Sequence, residues 1–215
     1  MNEIRRFRRA LTEAATGRAD PAGATATARE LTGAVRAVVL VEGHSDQAAL
    51  DTLAARHGRD LDAEGIAVVP LGGATNIGRF LDVCGPPGLG LPVAGLCDIG
   101  EERHFRRHLT RVGLTSCGGL EALGFFVCAA DLEDELIRAL GPDGVRQVID
   151  AQGESRPFHT FQGQPAQRER PVAHQLRRFL GTHSGRKAQY AQALVAQVDL
   201  ARVPRPLAGL LTHLA

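Results

Sequence analysis

The chain of 215 residues has room for one ordinary domain plus an appendage, and enough apolar content to bury a core. Its 25 basic and 24 acidic side chains leave a formal net charge of +1, so any affinity for nucleic acid must come from a local basic patch rather than a global excess. No apolar run approaches the ~20 residues that span a bilayer, and no signal-peptide core follows the arginine-rich start, so a cytoplasmic protein without membrane contact is expected.

Cys84, Cys97, Cys117 and Cys128 are scattered without a CxxC pair, which suggests neither a zinc site nor a disulfide framework; reduced, buried thiols are expected. Of the 25 basic side chains only Lys187 is a lysine, in a chain whose Ala, Gly and Arg richness looks like coding bias.

In chain order, NEIRRFRRALTEAA spaces Ile4, Phe7 and Leu11 at helical intervals and predicts an amphipathic helix, its arginines either a solvated face or a DNA-contacting arm. Thr16 to Thr32 reads as a linker followed by a short helix. Strand and helix signals then alternate. Arg36 to Val41 is an unbroken apolar strand that ends at Glu42. Ser45 can cap a helix to about His57 with Ala49, Leu50 and Leu53 inward. Ile66 to Leu71 is a second strand, and Gly72-Gly73 turn the chain into a helix near Asn76 to Val83, which GPPGLGL breaks. Leu91 to Cys97 is a third strand ending at Asp98, followed by a charged helix from about Glu101 to Leu109. Phe125 to Ala129 is a fourth strand, and Asp131 opens a helix to Leu140. Repeated βα units imply an α/β fold with a mainly parallel sheet flanked by helices. Beyond Gly141 the strand signals stop. Helical patterns at Gly144 to Ala151, Val172 to Leu180, Arg186 to Val198 and Pro206 to Leu214, joined by polar loops, predict a helical C-terminal extension. The expected division is 1–33 for an N-terminal helical segment, 34–140 for the α/β core and 141–215 for the extension.

Three strand ends carry acids: Glu42, Asp98, and Asp131 with Glu133. Parallel strands direct those ends to one edge, where open α/β sheets bind ligands. Asp46, one helical turn past Glu42, can join them. An all-oxygen cluster of this kind suits one or two Mg²⁺ or Mn²⁺ ions, and two such ions can clamp the attacking and leaving oxygens of a phosphodiester. Each acid also has a plainer reading, as a helix N-cap or a first-turn charge.

The order LVEGHSD, PLGG, GLCD resembles the TOPRIM fold of topoisomerases, bacterial primases and several nucleases. With DLEDELIRALG and the later GRKAQYAQAL added, the chain from Arg36 to Val198 more closely resembles the nuclease half of the OLD (overcoming lysogenization defect) family. The resemblance implies a metal-dependent DNA endonuclease. It makes Glu42 a metal ligand or general base, Asp46 a further metal-site acid, and Asp98 the first aspartate of the DxD pair. Asp131 and Glu133 become the pair that holds a second metal, and Lys187 the lysine that stabilises charge on the scissile phosphate. A compact ammonium is not replaced equivalently by guanidinium, which accounts for the lone lysine. The departure is at DxD, which reads Asp98-Ile99-Gly100; Glu101 or Glu102, one and two residues further on, would have to supply the missing oxygen. An alternative is therefore a catalytically weakened or inactive TOPRIM-like module that binds DNA or a partner.

Gly43, His44, Gly72 and Gly73 are expected near the phosphate, with an ordinary turn or loop role as the alternative. Arg168, Arg170, Arg177, Arg178 and Arg186 gather positive charge near Lys187, a DNA-backbone groove or a solvated surface. No GxxxxGK[ST] phosphate loop is present, so the ATPase half of full-length OLD proteins is expected to be a separate polypeptide or dispensable. A homo-oligomer is open, and phage defence and DNA repair both fit.

Overall fold

The computed structural model describes residues 2–17, 20–181 and 186–215; Gly185 of the GRKAQYAQAL segment lies outside them. Among the described residues there are four strands, β1 (Ala37–Val41), β2 (Ile66–Pro70), β3 (Val93–Asp98) and β4 (Phe125–Cys128). They form one parallel sheet in the order β2-β1-β3-β4. Helices α1 (Glu3–Thr16), α2 (Pro21–Glu30), α4 (Ile77–Cys84) and α5 (Glu102–Arg111) supply the core on one face. On the other lie α3 (His44–Arg56), α6 (Leu132–Ala151), α7 (Ser155–Gln162), α8 (Val172–Gly181), α9 (Lys187–Gln197) and α10 (Arg205–His213).

The apolar run of β1 follows from this sandwich. Val39 and Val41 join the α3 side, and Val38 and Leu40 join the α1 side, so both faces of the strand are buried. Each such side chain contributes roughly 1.5–3 kcal/mol of burial. Gly95 marks the tightest approach in the sheet: a Cβ there would stand 2.5 Å from the Leu40 carbonyl oxygen and 2.7 Å from the Phe125 ring, so only glycine fits.

The C-terminal helices share the core of the α3 face rather than standing off it. Leu176, Leu180, Ala191, Leu194 and Leu207 pack in the same cluster as Leu50 and Leu53. Arginines at the far end pin this packing. Arg56, in the last turn of α3, donates through Nη1 to the carbonyls of Val195 and Val198 at 2.7 and 2.5 Å, closing the C-terminus of α9. Arg59 does the same for α10, donating to the Leu211 and Leu214 carbonyls at 2.8 Å each. These contacts satisfy orphan helix carbonyls and complement the negative end of the macrodipole. With their C-termini joined, α3 and α9 run in the same direction, and both begin at the C-terminal edge of the sheet.

The DLEDELIRALGPDGVRQVID stretch is one helical rod broken at Gly141, whose φ of 73° and ψ of 162° leave the helix just before Pro142, so the expected break is a kink. Helix α7 replaces an expected loop; its signal, Phe158 and Phe161 on one face, is short and interrupted by Pro157. Cys84, Cys97 and Cys128 are buried as expected, whereas Cys117 is exposed in the polar turn that precedes β4. No described helix is long and apolar enough to cross a membrane.

Candidate metal centre

The strand ends open into a cleft of about 330 Å³ lined by Glu42, Asp46, Asp98, Asp131, Glu133 and Lys187, with Gly43, His44, Gly72 and Gly73 at its walls. Glu42 follows β1, Asp98 ends β3, and Asp131 N-caps α6, its Oδ1 accepting from the Asp134 N–H at 2.8 Å. Asp46 sits in the first turn of α3, where its Oδ2 accepts the Gly43 N–H at 2.8 Å. Lys187 is the first residue of α9. A cation at a helix N-terminus opposes the macrodipole, so its place there is favoured by the facing acids and not by its own helix.

Gly72 and Gly73 adopt φ values of 67° and 119°, and the Gly73 N–H donates to the Glu42 carbonyl at 3.2 Å. The turn after β2 is thereby tied to the first acid, in a conformation that L side chains rarely adopt. Neither glycine is filled by a neighbour on its Cβ side.

The electrostatics are those of crowded carboxylates. Burial, then the charges of Glu42, Asp46, Asp131 and Glu133, push the Asp98 carboxyl up to about 7. Asp46 is likewise pushed up to about 7, chiefly by burial, with its Gly43 hydrogen bond opposing. Glu42 is raised by burial and by Glu101, and Lys187 opposes the shift. Like charges in low dielectric disfavour joint ionisation, and a dication between them would relieve it.

The donor set fits a hard divalent cation. Its members are all oxygens, and Glu133 Oε1 is buried with no hydrogen-bond partner among the described residues, Lys187 Nζ lying 3.5 Å away. As the side chains stand, no three His, Cys, Asp or Glu among the described residues converge closely enough to hold one ion. Asp131 is engaged elsewhere: Arg177 donates Nε and Nη2 to its Oδ2 at 2.7 and 2.6 Å.

Of the other expected residues, some adjoin the cleft and some are engaged elsewhere. Glu101 is near enough to raise Glu42 but does not line the cleft. Glu102 is paired with Arg106 at 2.6 Å. Arg170, Arg177 and Arg178 line an adjoining groove with His174, and that groove shares Asp131, Glu133 and Lys187 with the cleft. Arg168 donates to the Gly163 carbonyl at 2.6 Å. Arg186 turns away, bonding Glu154 at 2.8 Å beside the Tyr190 hydroxyl, which donates to the same carboxylate at 2.9 Å. Ser45, expected as the cap of α3, lies inside its first turn and lines the cleft, because the helix starts one residue earlier with Gly43 at the N-cap. Glu135 carried no sequence signal of its own; buried, it accepts the Ala129 N–H at 2.8 Å and so fixes the turn between β4 and α6.

Residues 35–99 match the family described as "Overcoming lysogenization defect protein-like, TOPRIM domain". Over the whole fold the chain is similar to the C-terminal region of the Xanthomonas campestris pv. campestris OLD protein, at 26% identity and a TM-score of 0.62, covering 84% of this chain and 92% of that one. The C-terminal region of the Burkholderia pseudomallei OLD protein aligns at 23% identity and a TM-score of 0.59, covering 84% and 96%. No curated protein sequence matches significantly. The fold is thus the TOPRIM-like α/β fold of these C-terminal regions.

Proposed function

We propose that this chain, whose residues 35–99 are of the OLD-like TOPRIM type, is a metal-dependent DNA endonuclease. The observation that carries the reading is the meeting of acids from three strand ends with the lone lysine in one cleft. Glu42, Asp46, Asp98, Asp131 and Glu133 would hold one or two Mg²⁺ or Mn²⁺ ions, with Glu101 as a reserve oxygen donor beside Glu42. Such ions supply Lewis-acid polarisation of the phosphodiester and a water activated for in-line attack.

The chain's own groups do the rest. Glu42, its carboxyl raised by burial, takes the proton of the attacking water on a carboxylate oxygen as the P–O bond forms. The bond to the leaving sugar oxygen breaks on the far side, and that oxygen takes its proton from solvent. Lys187 Nζ, withdrawn from Glu133, neutralises the charge building on a non-bridging oxygen. The parallel N-termini of α3 and α9 add backbone N–H dipoles at His44 and Ala188, while the Gly43 N–H holds Asp46. Gly72 and Gly73 leave the backbone open to a phosphate. Arg177 and Arg178 hold the flanking strand, and Arg186, spent on Glu154, orients the start of α9.

Gly100 supports a second reading, a TOPRIM-like module that binds DNA without cutting it. Calorimetric titration with Mn²⁺ separates the two, because binding abolished by Asp98→Ala belongs to a working centre. Nicking of supercoiled plasmid with Mg²⁺ or Mn²⁺ tests the enzyme directly. An ATPase supplied as a separate polypeptide, a cytoplasmic setting, and a role in phage defence or DNA repair are consistent with this proposal.

A further inference from the structure

Helix α5 bears a second basic surface that the proposed chemistry does not use. Arg103, Arg106, Arg107 and Thr110 line an open groove of about 720 Å³ with His104, and the groove begins at Gly100, two residues beyond the cleft acid Asp98. Arg103 is exposed, and its side chain makes no ion pair or hydrogen bond among the described residues. Among the described residues the Arg106 side chain is held only by the exposed Glu102 pair, which solvent and salt weaken. Arg107 Nη2 lies 3.3 Å from His104 Nδ1 and from His108 Nε2, an arrangement that requires both ring nitrogens to be acceptors and leaves the arginine charge unneutralised.

Position in the fold gives the groove its meaning. Helix α5 packs on one face of the sheet through Phe105 and Leu109, whereas α8, which carries Arg177 and Arg178, packs on the other. The acids lie at the sheet edge between them. Ile99, half exposed, stands at the rim that separates the acids from the α5 groove. An α-helix rises ~1.5 Å per residue, so Arg103 to Arg107 covers ~6 Å, close to the rise along the duplex axis of two nucleotides of one strand, ~3.4 Å each.

We propose that the outward face of α5 is a phosphate-backbone surface that receives duplex DNA on the opposite side of the cut from α8, so that the duplex crosses the sheet edge from one helical layer to the other. This rests on reading the cleft as a phosphodiester-cleaving site. It also assigns a use to Gly100: an uncharged residue where an aspartate would have neutralised the arginine groove.

The test is the salt dependence of binding by the full chain to a short fluorescent duplex, read by anisotropy in EDTA so that no turnover intervenes. Loss of about two phosphate contacts in R103Q/R106Q/R107Q should flatten the slope of log K against log salt by roughly 2, at about 0.9 per contact. Arg103→Gln alone should flatten it by about 0.9, without disturbing any partner. Arg202→Gln removes one charge beyond the far end of α9 and should change nothing. Unchanged slopes in the α5 variants, or equal changes in Arg202→Gln, would overturn the surface, even if plasmid is cut. Flattened slopes without cleavage under any metal would keep the surface and remove the nuclease reading.

Discussion

Arg177 places Nε and Nη2 on a single oxygen of Asp131, at 2.7 and 2.6 Å, and so occupies a carboxylate that lines the cleft. The pair is partly exposed, 42% for the arginine side chain and 22% for the aspartate, so its net worth is on the order of 1 kcal/mol. Freeing the aspartate should therefore help a cation bind. Arg177→Met is expected to tighten Mn²⁺ binding about fivefold by calorimetry while weakening duplex binding at low salt. Unchanged Mn²⁺ affinity would mean that Asp131 takes no part in holding the ion.

Gly100 has open space on its Cβ side and does not adopt a left-handed conformation. Gly100→Asp should fold, with stability within about 0.5 kcal/mol of the parent by urea unfolding. It should raise affinity for Mn²⁺ and lower affinity for DNA, since it adds a carboxylate between the cleft and the α5 arginines. An unfolded variant, or one with both affinities unchanged, contradicts this account of position 100.

The metal-free protein should show a pH signature. Asp98 is raised from a usual value of 3.8 to about 7 in the folded state, so its contribution to stability is fully present below about 3.8 and is lost as pH rises to about 7. In EDTA the Tm of the parent should fall through that window more steeply than the Tm of Asp98→Asn, and saturating Mg²⁺ should remove the difference. Parallel curves for the two proteins would show that the crowding of acids is not felt in solution.

Arg56 links the far ends of α3 and α9, and through them sets the register of Lys187 against Glu42. Arg56→Ala leaves the Val195 and Val198 carbonyls short of a charged donor, which should cost about 2 kcal/mol in urea unfolding. Cleavage should fall as well, although the residue is remote from the acids. Full activity with full loss of stability would separate the helix pair from the site.

Much of this architecture is readable from residue pattern because parallel strands buried on both faces leave continuous apolar runs, and those of β1, β3 and β4 lead into acids that the cleft collects, whereas β2 leads into Gly72-Gly73. Glu42 and Asp98 announce themselves in this way. What the pattern hides is pairing across distance. Nothing local in PVAHQLRR says that Arg177 reaches Asp131, or that Arg186 goes to Glu154 and not to the cleft. Helix α7 escaped because Pro157 interrupts a helix of only eight residues, and Cys117 because an apolar-leaning residue in a glycine-rich turn has nothing to pack on.

The central claim is that the acids and the lone lysine form one phosphodiester-cleaving centre. Purified parent, Glu42→Gln, Lys187→Arg and Lys187→Met proteins, each confirmed folded by circular dichroism, are to be incubated with supercoiled plasmid in Mg²⁺ and in Mn²⁺, and the appearance of nicked and linear DNA timed. The account predicts cleavage by the parent, a loss of about a hundredfold or more in Glu42→Gln and Lys187→Met, and only partial recovery in Lys187→Arg, because guanidinium does not substitute for a compact ammonium. Cleavage at the parental rate in Glu42→Gln, or no cleavage by the parent in either metal, would contradict it.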